Sequence, residues 1–464
     1  MLYWTSSALQ SLAARAGRPK LVAAIDGAGA QFFRCSAAAP ASAFALAAAL
    51  RSNRASPSPA RTAPFPMSGP VPNARSRWIE ESSTLAITAR ALQLKAAGQD
   101  VISLGAGEPD FATPEAIARA GSQAIERGRY RYTATSGMPA LREAGARWLG
   151  TAFGLDYKPA EVMVTAGAKP ALHLALNTLV EKGDRVLILA PYWVSYPALV
   201  RMADGEPVIL PPAPERHFAP SADAVDAAVR AHDIRGVILN FPNNPSGCVP
   251  ARAEIEALVR VAAAHDLWIV SDEIYAQLRY DGAEHTSPAA VPGGRERTFI
   301  VAGFAKSHTL TGWRIGFLAG PEAVIAAAGR IQSQVLGNAC TISQEAALVA
   351  CAEPPRAEAD RRMPEFDKRR RYLLAAIPTV DGLALDPPRG AFYAFVDARR
   401  LCARFAIDDV RLCERLLDEQ LLAVVPGTAF GAPGFLRLSY AAPLKDLERA
   451  IARLRAFAAT TVTR

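Results

Sequence analysis

From Ser76 onward the chain alternates between stretches of helical spacing and short apolar runs. Over Glu81–Ala97, the residues Leu85, Ala89, Leu92 and Leu94 fall on or near one face, which predicts a helix. Val101–Leu104 predicts a short strand. Pro114–Arg127 predicts a helix with proline in its first turn, where the missing N–H costs nothing. A strand is expected over Glu161–Thr165 and a helix over Pro170–Glu181. Arg185–Ala190, Gly205–Leu210, Gly236–Asn240, Leu267–Ser271 and Thr298–Ala302 are short runs rich in Val, Ile and Leu, mostly bounded by helical stretches or turns. Such runs predict strands buried on both faces of a largely parallel sheet. The texture changes from about Gln344. An Arg-rich amphipathic helix over Arg356–Ile377 precedes strands at Ala391–Val396 and Leu436–Ser439, which predicts a second, smaller α+β domain beside the α/β one. No internal repeat is visible.

Composition narrows the function classes. Half of the 464 residues are hydrophobic, too many for a disordered chain, and the length is ample for a large core. No run reaches the roughly 20 apolar residues that cross a bilayer, so no membrane partner is expected. Ala41–Leu50, the most apolar stretch near the start, is short and mostly alanine. The net charge of +8 is concentrated in residues 1–75, where Arg15, Arg18, Lys20, Arg34, Arg51, Arg54, Arg61 and Arg75 face Asp26 alone. The remainder is nearly neutral, so nucleic-acid binding by the body is not expected. Residues 1–75 form a low-complexity leader of Ala, Ser, Pro and Arg. Two readings compete: an organellar targeting peptide, and an over-long start with Met67 as the working first residue. The second is preferred, because Met67 opens a polar run that leads straight into the body. The six cysteines are sparse and none forms C-x-x-C. They read as small buried hydrophobes in a reducing, cytoplasmic compartment.

Four segments carry candidate chemistry. Gly167-Ala168-Lys169-Pro170 lies between a buried strand and a helix, where free N–H groups and the helix dipole hold phosphate; a plain strand–helix turn is the alternative. Asn243-Asn244-Pro245-Ser246-Gly247 marks a tight turn at the carboxyl end of a strand, the edge where open α/β sheets bind ligands; a turn without function is the alternative. In Ser271-Asp272-Glu273-Ile274-Tyr275 an acid ends an apolar strand. It is costly there unless it meets a cation, such as a protonated ring nitrogen, or caps a helix. The Tyr275 hydroxyl, three residues on, could reach the same ligand. Lys306 follows the strand Thr298–Ala302 in apolar, Gly-flanked surroundings that lower an amine pKa and make it nucleophilic; a surface lysine is the alternative. Arg314, eight residues later, offers a fork-shaped cation for phosphate. Jointly the four segments ask for a ligand with a phosphate, a protonatable ring nitrogen, a ring oxygen and an aldehyde. Pyridoxal 5′-phosphate has all four. No metal is called for.

The body from about Ser83 to Arg455 resembles class I aminotransferases of the fold-type I pyridoxal-phosphate family, most of all the bacterial aspartate aminotransferase branch. The resemblance rests on Ala106-Gly107-Glu108-Pro109-Asp110-Phe111, Pro191-Tyr192-Trp193-Val194-Ser195-Tyr196-Pro197, the Asn-Asn-Pro-Ser-Gly turn, Asp272-Glu273-Ile274-Tyr275, and Lys306 with Thr311-Gly312-Trp313-Arg314. It implies a large cofactor-binding domain over residues 111–345, with a mostly parallel seven-stranded sheet between helices. It also implies a smaller α+β domain from residues 76–110 and 346–464.

By matching position, the resemblance implies that Lys306 captures the cofactor aldehyde and then serves as base and acid, and that Asp272 pairs with the ring nitrogen. Asn244 and Tyr275 would bond the ring oxygen, and Trp193 would stack on the ring. Gly167, Ala168, Arg314 and Tyr132 of a neighbouring subunit would hold the phosphate. Arg437, in Phe435-Leu436-Arg437-Leu438-Ser439-Tyr440, would clamp the substrate α-carboxylate, with Gly107 touching it through backbone. Lys169 and Thr84 would bind a distal carboxylate. The implied substrates are amino acids, aspartate favoured, and 2-oxo acids such as 2-oxoglutarate, turned over by a homodimer with shared active sites. Three departures from the branch stand out. The phosphate turn reads Gly-Ala-Lys, Gly303 replaces a hydroxyl residue, and Glu80–Thr84 replaces a lysine-proline lead-in. Two rivals share Lys306, Asp272 and Arg437: an aromatic or kynurenine-type aminotransferase and a carbon–sulfur β-lyase. A non-enzymatic regulator would need a DNA-binding module, and residues 1–75 show no helix-turn-helix pattern.

Overall fold

Strands β1 (Ile102–Ser103), β2 (Val162–Thr165), β3 (Arg185–Leu189), β4 (Glu206–Leu210), β5 (Ile234–Asn240), β6 (Trp268–Asp272), β7 (Thr298–Ala302) and β8 (Gly316–Ala319) supply the larger sheet and one outlying ladder. They come from a computed structural model that describes Asn73, Ile79 and Ser83–Thr460. The leader and the Glu80–Ser82 lead-in lie outside the described residues, Asn73 and Ile79 apart, and so does the side chain of Thr84. Seven strands pair in the order β2-β8-β7-β6-β5-β3-β4, parallel throughout except at β8, which runs antiparallel to both neighbours. Along β7 the side chains alternate between faces. Phe299 and Val301 join the layer containing the helix Ala168–Leu179, while Ile300 and Ala302 join the layer containing the helix Pro139–Phe153. Helices therefore cover both faces, as a parallel sheet requires. β4 is the exception to the expected two-sided burial. It is an edge strand with Glu206 and Ile209 exposed, having one hydrogen-bonded neighbour instead of two.

Strands β9 (Ala384–Leu385), β10 (Tyr393–Asp397), β11 (Leu422–Ala423), β12 (Val425–Pro426) and β13 (Phe435–Ser439) complete the set. Four of them form an antiparallel sheet in the order β12-β13-β10-β9, and β11 pairs in parallel with β1. That last ladder ties the segment leading into Gly105 and Gly107 to the far end of the chain.

Most expected elements are found within one or two residues of their predicted ends. Three differ in ways that matter. β8 carries no alternating pattern and was not expected. The helix after β2 begins at Ala168, so Pro170 is its third residue; it still falls in the first turn, whose N–H groups lack partners in any helix. The Arg-rich helix, Ala357–Ala376, does not turn all its arginines to water. Arg362, Arg369 and Arg370 are buried, paired with Glu358 at 2.5 Å, Asp110 at 2.7 Å and Asp281 at 2.8 Å. A buried guanidinium is tolerated only with such partners.

Candidate active site

Parallel pairing sets Asn240, the last residue of β5, beside Asp272, the last of β6, and Asp272 beside Val301 of β7. Lys306 follows four residues after β7 ends. Three strand ends thus deliver their polar side chains to one edge of the sheet, where a cavity of about 510 Å³ opens. Gly107, Ala168, Lys169, Trp193, Asn244, Asp272, Tyr275, Lys306, Arg314 and Arg437 all line it. Gly167 lies beneath its Arg314 side. Tyr132 does not line it and stands 97% exposed, the most exposed large aromatic described. A neighbouring subunit, where the sequence reading places its role, is not part of the structure.

The Lys306 amine donates to the Gly107 carbonyl at 2.5 Å. Burial lowers its pKa to about 8, against the pull of Glu108. Near neutral pH an appreciable fraction is therefore the free, nucleophilic amine. Asp272 is 4% exposed. Its Oδ2 accepts from the Tyr196 hydroxyl at 2.8 Å and its Oδ1 from the Ile274 N–H at 3.3 Å. Burial raises its pKa to about 6, against the lowering effect of the Tyr196 hydroxyl. No helix begins at Asp272, so the helix-cap alternative does not apply.

Gly167 takes φ +102°, and a Cβ there would lie 2.8 Å from an Arg314 guanidinium nitrogen. Arg314 itself adopts φ +51°, in the region that favours glycine, and its Nη1 donates to the Thr311 carbonyl at 3.0 Å. No side chain caps the helix that starts at Ala168. Its first N–H groups and the guanidinium together make an anion cradle. Lys169 lies 4.9 Å from the Trp193 ring centroid, and burial, helped by the Arg314 charge, holds its pKa below the ordinary lysine value.

Arg437 is only 2% exposed. It donates to the Asn244 side-chain oxygen at 3.1 Å and to the Gly105 carbonyl at 2.6 Å, while its buried Nε has no partner. Three contributors escaped the sequence reading. Tyr196 bonds Asp272, Asn240 receives the Asn244 N–H at 2.9 Å, and the Tyr393 and Tyr275 hydroxyls meet at 2.7 Å. Tyr196 stands in a quoted motif and Tyr393 in a predicted strand, but an aromatic in either place reads as core.

A buried carboxylate that makes no ion pair among the described residues, an anion cradle and a desolvated amine are the complement of pyridoxal 5′-phosphate. On a mostly parallel seven-stranded sheet, they define a transaminase that depends on that cofactor. The chain belongs to the aminotransferase class I and II family, whose model matches residues 99–454. It is 42% identical over 381 residues to an aspartate aminotransferase of Geobacillus stearothermophilus, covering 82% of this chain and 96% of that one. With an aspartate/prephenate aminotransferase of Cereibacter sphaeroides it shares 40% identity over 389 residues, covering 82% and 97%. Among solved structures, an aspartate aminotransferase from Thermus thermophilus with maleate superposes with a TM-score of 0.79 at 40% identity, covering 84% of this chain and all of that one. One from Rhizobium meliloti superposes at 0.80 and 37% identity, covering 84% and 99%. The fold is fold type I.

The residues fit the cofactor. Asp272 would hold the ring nitrogen, Lys306 the aldehyde, Asn244 and Tyr275 the ring oxygen, and Gly167, Ala168 and Arg314 the phosphate. Among the described residues no cluster of metal-ligating side chains occurs, and no helix is long and apolar enough to cross a membrane.

Proposed function

We propose that the enzyme moves the amino group of aspartate to 2-oxoglutarate through the residues assigned above. The observation that carries the choice of a dicarboxylate is the coexistence of two cations in one cavity: the buried Arg437 with an unsatisfied Nε, and the desolvated Lys169 beside Trp193. The aspartate names of the relatives support the same reading.

Bound here, pyridoxal 5′-phosphate supplies an aldehyde that captures amines and a ring that draws electrons from the captured carbon. Arg437 grips the α-carboxylate of the amino acid through two parallel N–H donors, and the Gly107 backbone touches the same group. The Lys306 Nζ would take the α-proton of the substrate and later return one. Asp272, held in place by the Tyr196 hydroxyl, would keep a proton on the ring nitrogen. Asn244 and Tyr275 donate to the ring oxygen. Lys169 would receive the distal carboxylate. The same residues serve the return half-reaction with a 2-oxo acid, which gives ping-pong kinetics.

Lys169→Ala is expected to lower kcat/KM for aspartate by about 10-fold or more, as a lost charge-assisted bond implies, and to leave an aromatic donor within about 2-fold. Donor panels with 2-oxoglutarate or prephenate as acceptor measure both. An equal loss for the two donors would detach Lys169 from distal-group recognition.

A homodimer is part of the proposal, with Tyr132 reaching the phosphate cradle of the neighbouring subunit. Its near-complete exposure, beside the exposed Tyr130 and Ile125, supports a surface that meets a second copy. Sedimentation should give twice the chain mass. A monomer that retains full activity would remove Tyr132 from the site. We also propose the domain division of residues 76–110 with 346–464 against 111–345, supported by the β1–β11 pairing. The five described cysteines are unpaired, which supports a cytoplasmic, reducing setting.

A further inference from the structure

Tyr393 is used by none of the roles above, yet it touches three of the residues that fill them. Its hydroxyl lies 2.7 Å from the Tyr275 hydroxyl. A Cβ built on Gly107 would lie 2.8 Å from the same oxygen. Its ring centroid lies 4.7 Å from the Arg437 guanidinium carbon. The sheet explains the cluster. Phe395 of β10 stands directly opposite Arg437 of β13, so Tyr393, two residues away on the same face, is the diagonal neighbour of Arg437. Tyr393 is fully buried and Tyr275 is 3% exposed. Water cannot readily substitute for either partner.

Two hydroxyls that share one hydrogen bond use one proton between them and leave the other to point elsewhere. If Tyr275 donates to Tyr393, it has no proton left for the cofactor. If Tyr393 donates, the Tyr275 proton is free for an oxygen in the cavity. The surroundings favour the second arrangement. Burial raises the pKa of both hydroxyls, and the Arg437 charge pulls both back. That guanidinium lies against the Tyr393 ring and counts for more there, while Tyr275 is pushed well up, which makes the Tyr393 hydroxyl the better donor. The other charged groups near the pair are Asp272, and Lys306 with its amine 5.8 Å from the Tyr275 ring centroid.

We propose that Tyr393 is a positioning residue whose hydroxyl donates to the Tyr275 oxygen and thereby commits the single Tyr275 proton to the ring oxygen of the cofactor. The proposal rests on the role assigned to Tyr275 under the proposed function. Because the Tyr393 ring also underlies Arg437, one side chain ties the ring-oxygen contact to the carboxylate clamp.

The test uses the cofactor-loaded full chain and reads the pH midpoint of its visible absorption band, together with the dissociation constant for pyridoxal 5′-phosphate. A hydroxyl that donates to an anionic oxygen favours its deprotonated form, so losing that bond raises the midpoint. Tyr393→Phe keeps the ring against Arg437 and Gly107 and removes only the hydroxyl. It should raise the midpoint by about 0.5–1 pH unit, the size expected for one neutral hydrogen bond, and weaken cofactor binding by about 3–10-fold. Tyr275→Phe should raise it at least as much. The double variant should match Tyr275→Phe, because the outer hydroxyl acts only through the inner one. An unmoved midpoint in Tyr393→Phe overturns the proposal while leaving Tyr275 in place. A Tyr393→Phe shift that persists undiminished in the Tyr275→Phe background overturns it too, since Tyr393 would then act on its own. No shift in Tyr275→Phe would instead remove the Tyr275 assignment, and the pair with it.

Discussion

Lys306→Ala is expected to lose at least about 10⁴-fold in kcat, because the proposed mechanism gives one amine the tasks of both nucleophile and proton carrier. Borohydride reduction of the loaded parent should leave a pyridoxyl mark on residue 306, and the variant should carry none there. The physical basis is the position of the side chain just past β7, donating to Gly107 and desolvated enough to bring its pKa to about 8. The sign of the pH effect follows. Above about pH 8 the amine would be mostly neutral, the form able to capture an aldehyde; below it, the protonated fraction would grow. Cofactor capture by the cofactor-free chain, followed by stopped-flow absorbance, should therefore speed up as pH rises through 8 and level off beyond. A rate that stays flat between pH 6.5 and 9, or a variant that turns over near the parent rate, would end the assignment of Lys306.

Asp272→Ala should keep the fold and lose about 10²–10³-fold in kcat, the usual cost of removing one preorganised electrostatic partner from a closed site. Asp272→Asn should lose as much, since it keeps the shape and discards the charge. Burial raises the Asp272 carboxyl to about pH 6 in the chain alone, despite the Tyr196 hydroxyl, and a cation placed against it would bring that value further down. Cofactor affinity should then weaken as pH falls below about 6, when the acid is protonated and the pairing with a ring N–H⁺ is lost. Equilibrium dialysis between pH 5 and 8 reads this directly. An affinity that does not vary over that range, or an Asn variant at full rate, would leave Asp272 with a structural role alone.

Much of this site is legible in the sequence because its chemistry sits at strand ends. Asp272 and Lys306 are ionisable residues placed where apolar runs stop, and burial makes such residues conspicuous. Gly167 and the helix after it betray a phosphate cradle by local backbone alone. What stayed hidden depends on contacts between distant segments. Tyr196 and Tyr393 are aromatics in a helix start and a strand, and nothing local separates a packed ring from one whose hydroxyl holds Asp272 or Tyr275. Arg362, Arg369 and Arg370 look solvated by their charge, and only the positions of Glu358, Asp110 and Asp281 make their burial tolerable. β8 is four residues without alternation, so its antiparallel place between β2 and β7 follows from the sheet and not from its own composition.

The Arg437 guanidinium bonds the carbonyl of Gly105, 332 positions earlier. On the ribosome, about 130 residues must still be translated after Lys306 before Arg437 exists, on the order of ten seconds of elongation. A nascent polypeptide thus completes the clamp only near the end of its synthesis. Termination of translation before residue 437 should accordingly remove the grip on the α-carboxylate.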